Sequence, residues 1–192
     1  AKDKAPEGAG QTDGEAAAGE TRPDAGEAAA DETQADAGQG EGDSGIEAQP
    51  GVPLKAGNKA PDFTAELIDG SSLALSDLKG KPVIINFWAT WCGPCVREMP
   101  AFERLKEDFG DEIGIIAVNC GDDADTVKDF VDENGYTFPV VLDEEYSISM
   151  LYPTNSIPYT VVLDAEGKVA HISTGALDAD TMYERYKEAL GV

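Results

Sequence analysis

Hydrophobic and polar residues alternate in two short segments, 63–67 and 72–75, which are separated by the turn pair Asp69-Gly70. This pattern predicts a β-hairpin. Residues 82–88 then form a nearly continuous β-branched and aromatic run, which is typical of a strand buried on both faces of a sheet. Residues 113–118 have the same character and predict a second buried strand.

A helical period of hydrophobic positions follows the first of these buried strands. The apolar residues of this stretch lie three or four positions apart and are Cys95, Met99, Phe102, Leu105 and Phe109. This spacing predicts an amphipathic helix. A second, shorter helix is predicted between Asp123, which suits an N-cap, and Asn134-Gly135, which suits a helix end.

Further strand-like runs complete the pattern, at 138–142, 159–163 and 169–173. The last two are joined by a tight turn at Glu166-Gly167, so we expect them to pair antiparallel. A final helix covers about 178–190, and its predicted inward-facing residues are Met182, Tyr183, Tyr186 and Leu190. The order of elements predicts an α/β fold in which a mixed central sheet is flanked by helices.

Composition divides the chain near Pro50. Residues 1–50 carry three basic and thirteen acidic residues, no aromatic residue, and Ile46 as their one large aliphatic residue. Such a segment cannot bury enough apolar surface to offset its ordering entropy, so residues 1–52 are predicted to be a disordered acidic tail or linker. Residues 53–192, which contain all six Phe, six Tyr and two Trp, predict one folded domain.

The charge and the residue counts exclude several classes of protein. A net charge of −24 repels nucleic-acid phosphates, so no nucleic-acid partner is expected. No apolar run approaches the roughly 18 residues of a membrane span. Three Cys and a single His171 argue against a disulfide scaffold and against a His-based metal site. We therefore expect no metal site. The further expectations are that the protein needs no cofactor and is a monomer.

The motif that carries chemistry is Trp91-Cys92-Gly93-Pro94-Cys95, at the point where a buried strand gives way to a helix. Two thiols separated by two residues on a first helical turn can close a disulfide ring. Cys92 would lie at the helix N-terminus, where unpaired N–H groups and the helix dipole stabilise a thiolate, so it is the predicted nucleophile. Cys95, one turn further and more buried, is predicted to attack the mixed disulfide and release the substrate.

The two residues between the cysteines suit this role. Gly93 leaves the approach to Cys92 open, and Pro94 fits a first helical turn because it needs no N–H partner there. A pair of structural cysteines or half of a zinc site is the alternative. A zinc site would need two more ligands, and the sequence has neither a second C-x-x-C nor a His pair. The motif and its strand-to-helix context favour a redox dithiol.

These residues resemble the thioredoxin superfamily, and most closely its extracytoplasmic thiol–disulfide oxidoreductases of the TlpA/ResA type. The resemblance covers nearly all of 55–192 and rests on the Trp-Cys-Gly-Pro-Cys motif, Pro100 in the following helix, and Ile157-Pro158 ahead of a strand. It implies a thioredoxin-like fold. The segment that contains the hairpin resembles the N-terminal extension of the TlpA type.

The resemblance implies a cis peptide bond before Pro158, with this proline lying against the dithiol. The backbone of Ile157 would then be free to pair with an extended substrate, as in β-strand addition. The expected substrate-binding residues are Trp91, Gly93, Pro94, Ile157 and Pro158. An ordinary trans-proline that opens a strand is the alternative.

Glu98 is the third catalytic candidate. Cytoplasmic thioredoxins place a buried Asp six residues before the first Cys, and this chain has Asn86 there, an amide that cannot shuttle a proton. Reductases of the ResA type carry Glu at the position that Glu98 occupies, one turn after the second Cys. A carboxyl group with a raised pKa near the two sulfurs could act as general acid and base. A solvated helix residue is the alternative.

The leading hypothesis is an enzyme that reduces protein disulfides outside the cytoplasm. Gly-Pro between the cysteines is the dipeptide of reducing thioredoxins, which motivates the direction of the reaction. The resemblance implies disulfide-bearing protein substrates, as in cytochrome c maturation, and a membrane thiol donor of the CcdA/DsbD type for re-reduction. It also implies an exported chain tethered to the cell membrane, whose signal or anchor would precede Ala1.

Two other functions remain open at this point. A peroxiredoxin-like thiol peroxidase shares Ala60-Pro61-Asp62-Phe63, but it would carry Thr where this chain has Ala89. A copper-binding chaperone of the Sco type would need a wider cysteine spacing and a His near the pair, and only His171 is available. Cys120 is predicted to be a small buried residue, with a third redox thiol as the alternative.

Overall fold

The computed structural model describes residues 51–192. In this part of the chain the strands are Thr64–Glu66 (β1), Ser72–Ala74 (β2), Val83–Trp88 (β3), Gly114–Cys120 (β4), Val140–Asp143 (β5), Tyr159–Leu163 (β6) and Val169–Thr174 (β7). The α-helices are Gly93–Phe109 (α1), Ala124–Asn134 (α2) and Ala179–Leu190 (α3). The predicted disordered tail, apart from residues 51 and 52, lies outside the described residues.

The strands form the predicted hairpin and the predicted mixed sheet. β1 and β2 pair antiparallel. The central five-stranded sheet has the order β5-β4-β3-β6-β7. In this sheet β3, β4 and β5 are parallel to one another, because α1 connects β3 to β4 and α2 connects β4 to β5. β6 pairs antiparallel with β3 and with β7, and the connection from β6 to β7 turns at Gly167, whose φ is +80°.

The two faces of the central sheet are covered by different parts of the chain. The buried side chains of α1, α2 and α3 pack in one hydrophobic cluster with Ile84 and Trp88 of β3. The opposite face, including Ile85 and Phe87, packs against Phe63 beside the hairpin and Tyr152 of the segment between β5 and β6. Every residue of β3 and β4 is buried as a result, which confirms the reading of both as strands covered on two faces.

Helix boundaries follow the capping residues. Asp123 and Asp178 cap α2 and α3 through their side chains, and the helices end at Gly135 and Gly191, both with left-handed backbone. The cap of α1 is Cys92, so the dithiol motif itself begins that helix. No helix within residues 51–192 has the length and apolar character needed to cross a membrane.

One predicted strand begins later than expected. The run at 138–142 predicted a strand from Phe138, whereas β5 begins at Val140. Pro139 stands directly before it and has no N–H to donate to a ladder. Its carbonyl still accepts a hydrogen bond from the N–H of Ala117 at 2.9 Å, so pairing with β4 starts at the proline but the regular strand starts after it.

Candidate active site

The dithiol motif lies at the carboxyl end of β3 and the amino end of α1. Cys92 is the N-cap of α1 and Cys95 lies in its first turn, and their sulfurs form a disulfide with an S–S distance of 2.03 Å. Cys95 is fully buried, whereas Cys92 keeps 6% of its surface exposed and follows Trp91, which is 72% exposed. The order of accessibility is therefore the one expected for an attacking Cys92 and a resolving Cys95.

The sulfur of Cys92 lies at the positive end of α1. It accepts a hydrogen bond from the backbone N–H of Cys95, at an N···S distance of 3.3 Å. The N–H groups of a first helical turn have no partner inside the helix and carry the positive end of its dipole. In the reduced protein, this N–H and the dipole would stabilise a thiolate on Cys92.

The Ile157–Pro158 segment has the conformation that the resemblance implied. The peptide bond between Ile157 and Pro158 is cis. Pro158 is buried, and its carbonyl accepts a hydrogen bond from the N–H of Gly175 at 2.9 Å. Ile157 is partly exposed, and within the described part of the chain neither its N–H nor its C=O has a hydrogen-bond partner.

Trp91 and Ile157 line one groove of about 1000 Å³, called here the Trp91 groove. Its other walls are formed mainly by Phe87, Cys120, Tyr146, Ser149, Met150 and residues 153–156. The structure thus brings together two of the predicted substrate-binding residues. Tyr146 and Met150 were not predicted, because nothing in the local pattern between β5 and β6 shows which surface that segment approaches.

Glu98, the predicted acid–base residue, is fully buried in α1, so it is not a solvated helix residue. Its Oε1 accepts a hydrogen bond from Nδ2 of Asn86 at 2.9 Å, and its Oε2 accepts one from the Tyr186 hydroxyl at 2.8 Å. Burial raises the pKa of Glu98 to about 7, although both hydrogen bonds act in the opposite direction. The carboxyl group can therefore exchange a proton near neutral pH.

The groups around Glu98 form a buried polar cluster. Nδ2 of Asn86 also donates to Oγ1 of Thr160 at 2.9 Å, and that oxygen lies 3.0 Å from the Tyr186 hydroxyl. The cluster joins β3, β6, α1 and α3. Tyr186 was predicted only as an inward-facing helix residue, because it lies 88 residues from Glu98 along the chain. The position that holds Asp in cytoplasmic thioredoxins thus holds an amide that positions a carboxyl group supplied by α1.

The third cysteine and the single histidine take no part in the cluster. Cys120 is free and 8% exposed, its sulfur lies 3.4 Å from Oγ of Ser149, and burial raises the pKa of its thiol. The prediction of a buried Cys120 is confirmed. His171 is exposed on β7, opposite Val162 of β6. Among residues 51–192 no three potential metal ligands come together.

Most of the chain is similar to known proteins. The family model described as Redoxin matches residues 55–190. The thioredoxin-like protein YneN of Bacillus subtilis (strain 168) is 36% identical over 137 residues, which is 70% of this chain and 80% of that protein. The thiol-disulfide oxidoreductase ResA of the same strain is 36% identical over 132 residues, which is 68% of this chain and 74% of ResA.

Solved structures lead to the same family. StoA from Bacillus subtilis is similar with a TM-score of 0.58 and 28% identity, over 70% of this chain and 98% of StoA. A thiol:disulfide interchange protein of the thioredoxin family from Chlorobium tepidum TLS has a TM-score of 0.62 and 27% identity, over 74% of this chain and 100% of that protein. The thioredoxin-like α/β fold is thereby confirmed, and neither a peroxidase nor a copper chaperone is favoured. Because the similarity extends over about 70% of the chain and includes the region of the Cys92–Cys95 pair, the chain belongs to the redoxin family and is a thiol–disulfide oxidoreductase of the ResA-like type.

Proposed function

We propose that this oxidoreductase reduces disulfide bonds in polypeptide substrates outside the cytoplasm. The observation that carries the proposal is the disposition of the two sulfurs at the head of α1. Cys92 is the more accessible and accepts an N–H at the positive end of the helix, while Cys95 is fully buried behind it. The Gly93-Pro94 pair between them, as in reducing thioredoxins, supports reduction as the direction.

The reaction begins from the reduced dithiol. The Cys92 thiolate attacks one sulfur of a substrate disulfide, so a Cys92–substrate S–S bond forms and the other substrate sulfur leaves as a thiolate that takes a proton. Cys95 then loses its proton and attacks the sulfur of Cys92. The second substrate thiolate leaves, and the Cys92–Cys95 disulfide of the present structure remains. Two electrons pass from the dithiol to the substrate.

Glu98 is the proposed acid and base for the second step. Cys95 is buried and must lose its proton before it can attack, and a side chain three residues further on the same helix is its neighbour. The pKa of Glu98, raised to about 7 by burial, allows the carboxylate to accept that proton and later return it. Asn86 and Tyr186 hold the two carboxyl oxygens in place.

The substrate-binding residues are proposed to act at the approach to Cys92. The unpaired N–H and C=O of Ile157 can bond to an extended substrate segment, as an added strand does. The carbonyl of Pro158 accepts a hydrogen bond from the N–H of Gly175, which fixes the backbone next to Ile157. Trp91 supplies an exposed apolar surface beside Cys92, and Gly93 and Pro94 leave the approach open.

The oxidised dithiol has to be re-reduced before another turnover. The proposed electron source is a membrane thiol donor of the CcdA/DsbD type, and we propose that the protein acts as a monomer tethered to the outer side of the cell membrane. The resemblance to the TlpA/ResA type supports this part of the proposal. Labelling Cys92 in whole cells with a membrane-impermeant thiol reagent tests the proposed location outside the cytoplasm, because a cytoplasmic protein would stay unlabelled.

Trapping of substrates tests the proposed roles of the sulfurs. The Cys95→Ser variant should accumulate mixed disulfides through Cys92, since the second attack is blocked, and mass spectrometry of the complexes would identify the substrates. The Cys92→Ser variant is the matched control and should trap none. Equal trapping by the two variants would contradict these roles. A dithiol potential near the −120 mV of a strong oxidant, not near the roughly −270 mV of thioredoxin, would contradict reduction.

A further inference from the structure

The segment between β5 and β6 places exposed hydrophobic side chains beside the dithiol. Tyr146 is 50% exposed, Met150 is 66% exposed, and Trp91 is 72% exposed. All three line the Trp91 groove. Large apolar side chains that are gathered on one exposed surface mark a site of interaction, whereas scattered ones do not.

Tyr146 is held in one position by its surroundings. Its φ is +58°, and no other non-glycine residue among those described has a positive φ. Its hydroxyl oxygen lies against Gly121 so closely that a Cβ there would be 2.1 Å from it. The Asp143 carboxylate, which accepts the N–H groups of Ile148 and Ser149 at 3.0 and 2.8 Å, fixes the turn that follows. The wall of the groove is thus formed before any ligand arrives.

The charge of the groove differs from that of its surroundings. None of the described residues that line it is charged. The domain around it, residues 51–192, carries 11 basic and 25 acidic residues, and the exposed Glu144 and Glu145 directly precede Tyr146 in the sequence. An uncharged groove in an acidic domain, with two exposed carboxylates next in sequence to one of its lining residues, is complementary to an apolar side chain that has basic neighbours.

We propose that the Trp91 groove binds a large apolar side chain of an extended substrate segment, close to the substrate's disulfide-bonded cysteine and flanked by basic residues. The assignment rests on the proposed function, since the substrate segment reaches Cys92 along the backbone of Ile157. In this arrangement Trp91 and Ile157 contact the substrate next to the dithiol. Tyr146 and Met150 contact it further along the groove. These two residues therefore select among polypeptides and leave the sulfur chemistry unchanged.

The test compares the full chain with variants of the outer wall. Tyr146→Asn removes the aromatic ring, and Asn tolerates the positive φ of this position. Met150→Gln replaces an apolar side chain by a polar one of similar length. Val192→Gln is the matched control, because Val192 is an exposed apolar residue that does not line the groove. Each protein is given Lys-flanked disulfide peptides with Phe or Ala near the cysteine, peptides with Glu flanks, and hydroxyethyl disulfide as a small substrate.

Two readouts are measured for each protein. The first is kcat/KM for reduction of the peptides and of hydroxyethyl disulfide. The second is the affinity of redox-inert peptides, with Ser in place of Cys, from the change in Trp fluorescence. We expect the unmodified chain to prefer the Lys-flanked Phe peptide about tenfold over the Ala peptide, from partial burial of one aromatic side chain. The preference should fall to about twofold or less in Tyr146→Asn and Met150→Gln and persist in Val192→Gln.

Other results would overturn the assignment. These are an equal response of the unmodified chain to the Phe and Ala peptides, or a preference that survives both wall substitutions. Concentration-dependent dimerisation that Met150→Gln abolishes, without peptide selectivity, would assign the groove to a second copy of the chain. Failure to reduce hydroxyethyl disulfide would contradict the proposed function instead, and the redox-inert peptides would still decide what the groove binds.

Discussion

Replacing Glu98 by Gln tests the buried carboxyl group without disturbing its surroundings. The side chain is fully buried, with Oε1 bonded to Asn86 and Oε2 bonded to Tyr186. A glutamine has nearly the same volume, and its amide oxygen can accept the bond from Asn86. Its NH₂ group can donate to the Tyr186 hydroxyl, which can turn its own hydrogen toward Thr160. The substitution therefore removes the titration and keeps the packing.

The size of the effect follows from the pKa of Glu98, which burial raises from the ordinary 4.5 to about 7. At low pH the carboxyl group is protonated in both the folded and the unfolded chain. As the pH rises from 4.5 to 7, the unfolded chain releases this proton while the folded chain retains it, so the free energy of unfolding falls. Above pH 7 the loss is complete and amounts to about 3 kcal/mol.

Urea unfolding of the oxidised proteins between pH 4 and pH 8, at constant ionic strength, measures this difference. The unfolding free energy of Glu98→Gln minus that of the unmodified chain should rise by about 3 kcal/mol from pH 4 to pH 8. Most of this rise should fall between pH 4.5 and 7. Glu107→Gln, on the exposed side of the same helix, is the control for removing a carboxylate from α1 and should change the unfolding free energy little. A difference for Glu98→Gln that is constant with pH would refute the reasoning.

Further predictions concern the same site and its supports. Tyr186→Phe removes a donor that lowers the pKa of Glu98, so the pH profile of disulfide reduction should move upward by about one to two pH units. Phe102→Ala deletes a fully buried ring stacked on Tyr186 and should lower the unfolding free energy by about 3–5 kcal/mol in urea titrations. Gly121→Ala would displace the Tyr146 hydroxyl. It should slow reduction of the Lys-flanked Phe peptide but not of hydroxyethyl disulfide. Removal of residues 1–50 should leave reduction rates unchanged, since the proposed catalytic residues all lie beyond Pro50.

The periodicity of the sequence predicts most secondary structure correctly because the relevant forces act between near neighbours. The run at 159–163 coincides with β6, and the pattern that follows Asp178 coincides with α3. Capping by Asp123 and Asp178 depends on a side chain and an N–H three residues away, so it can be recognised from local sequence. The boundary of β5 differed because one missing N–H, at Pro139, delays regular pairing.

Contacts between distant segments could not be predicted in this way. Burial of Glu98 depends on Tyr186, which lies 88 residues further along the chain, and on Asn86 in the neighbouring strand. The helical period alone allowed Glu98 to face solvent. The outer wall of the Trp91 groove depends on the left-handed backbone of Tyr146 and on the space above Gly121, neither of which has a periodic signature.

The sequence by itself determined the order of the elements and the place of the dithiol, because strand and helix periods, caps and a cysteine pair three positions apart are local properties. Tertiary structure decided that Glu98 is desolvated and titrates near neutrality, and that Trp91 shares a groove with Tyr146 and Met150. The physical reason is that desolvation and groove shape depend on how distant elements pack around a residue. The sequence therefore indicates the two sulfurs that we propose to react, and the packing sets the environment of the proposed proton carrier and the shape of the groove.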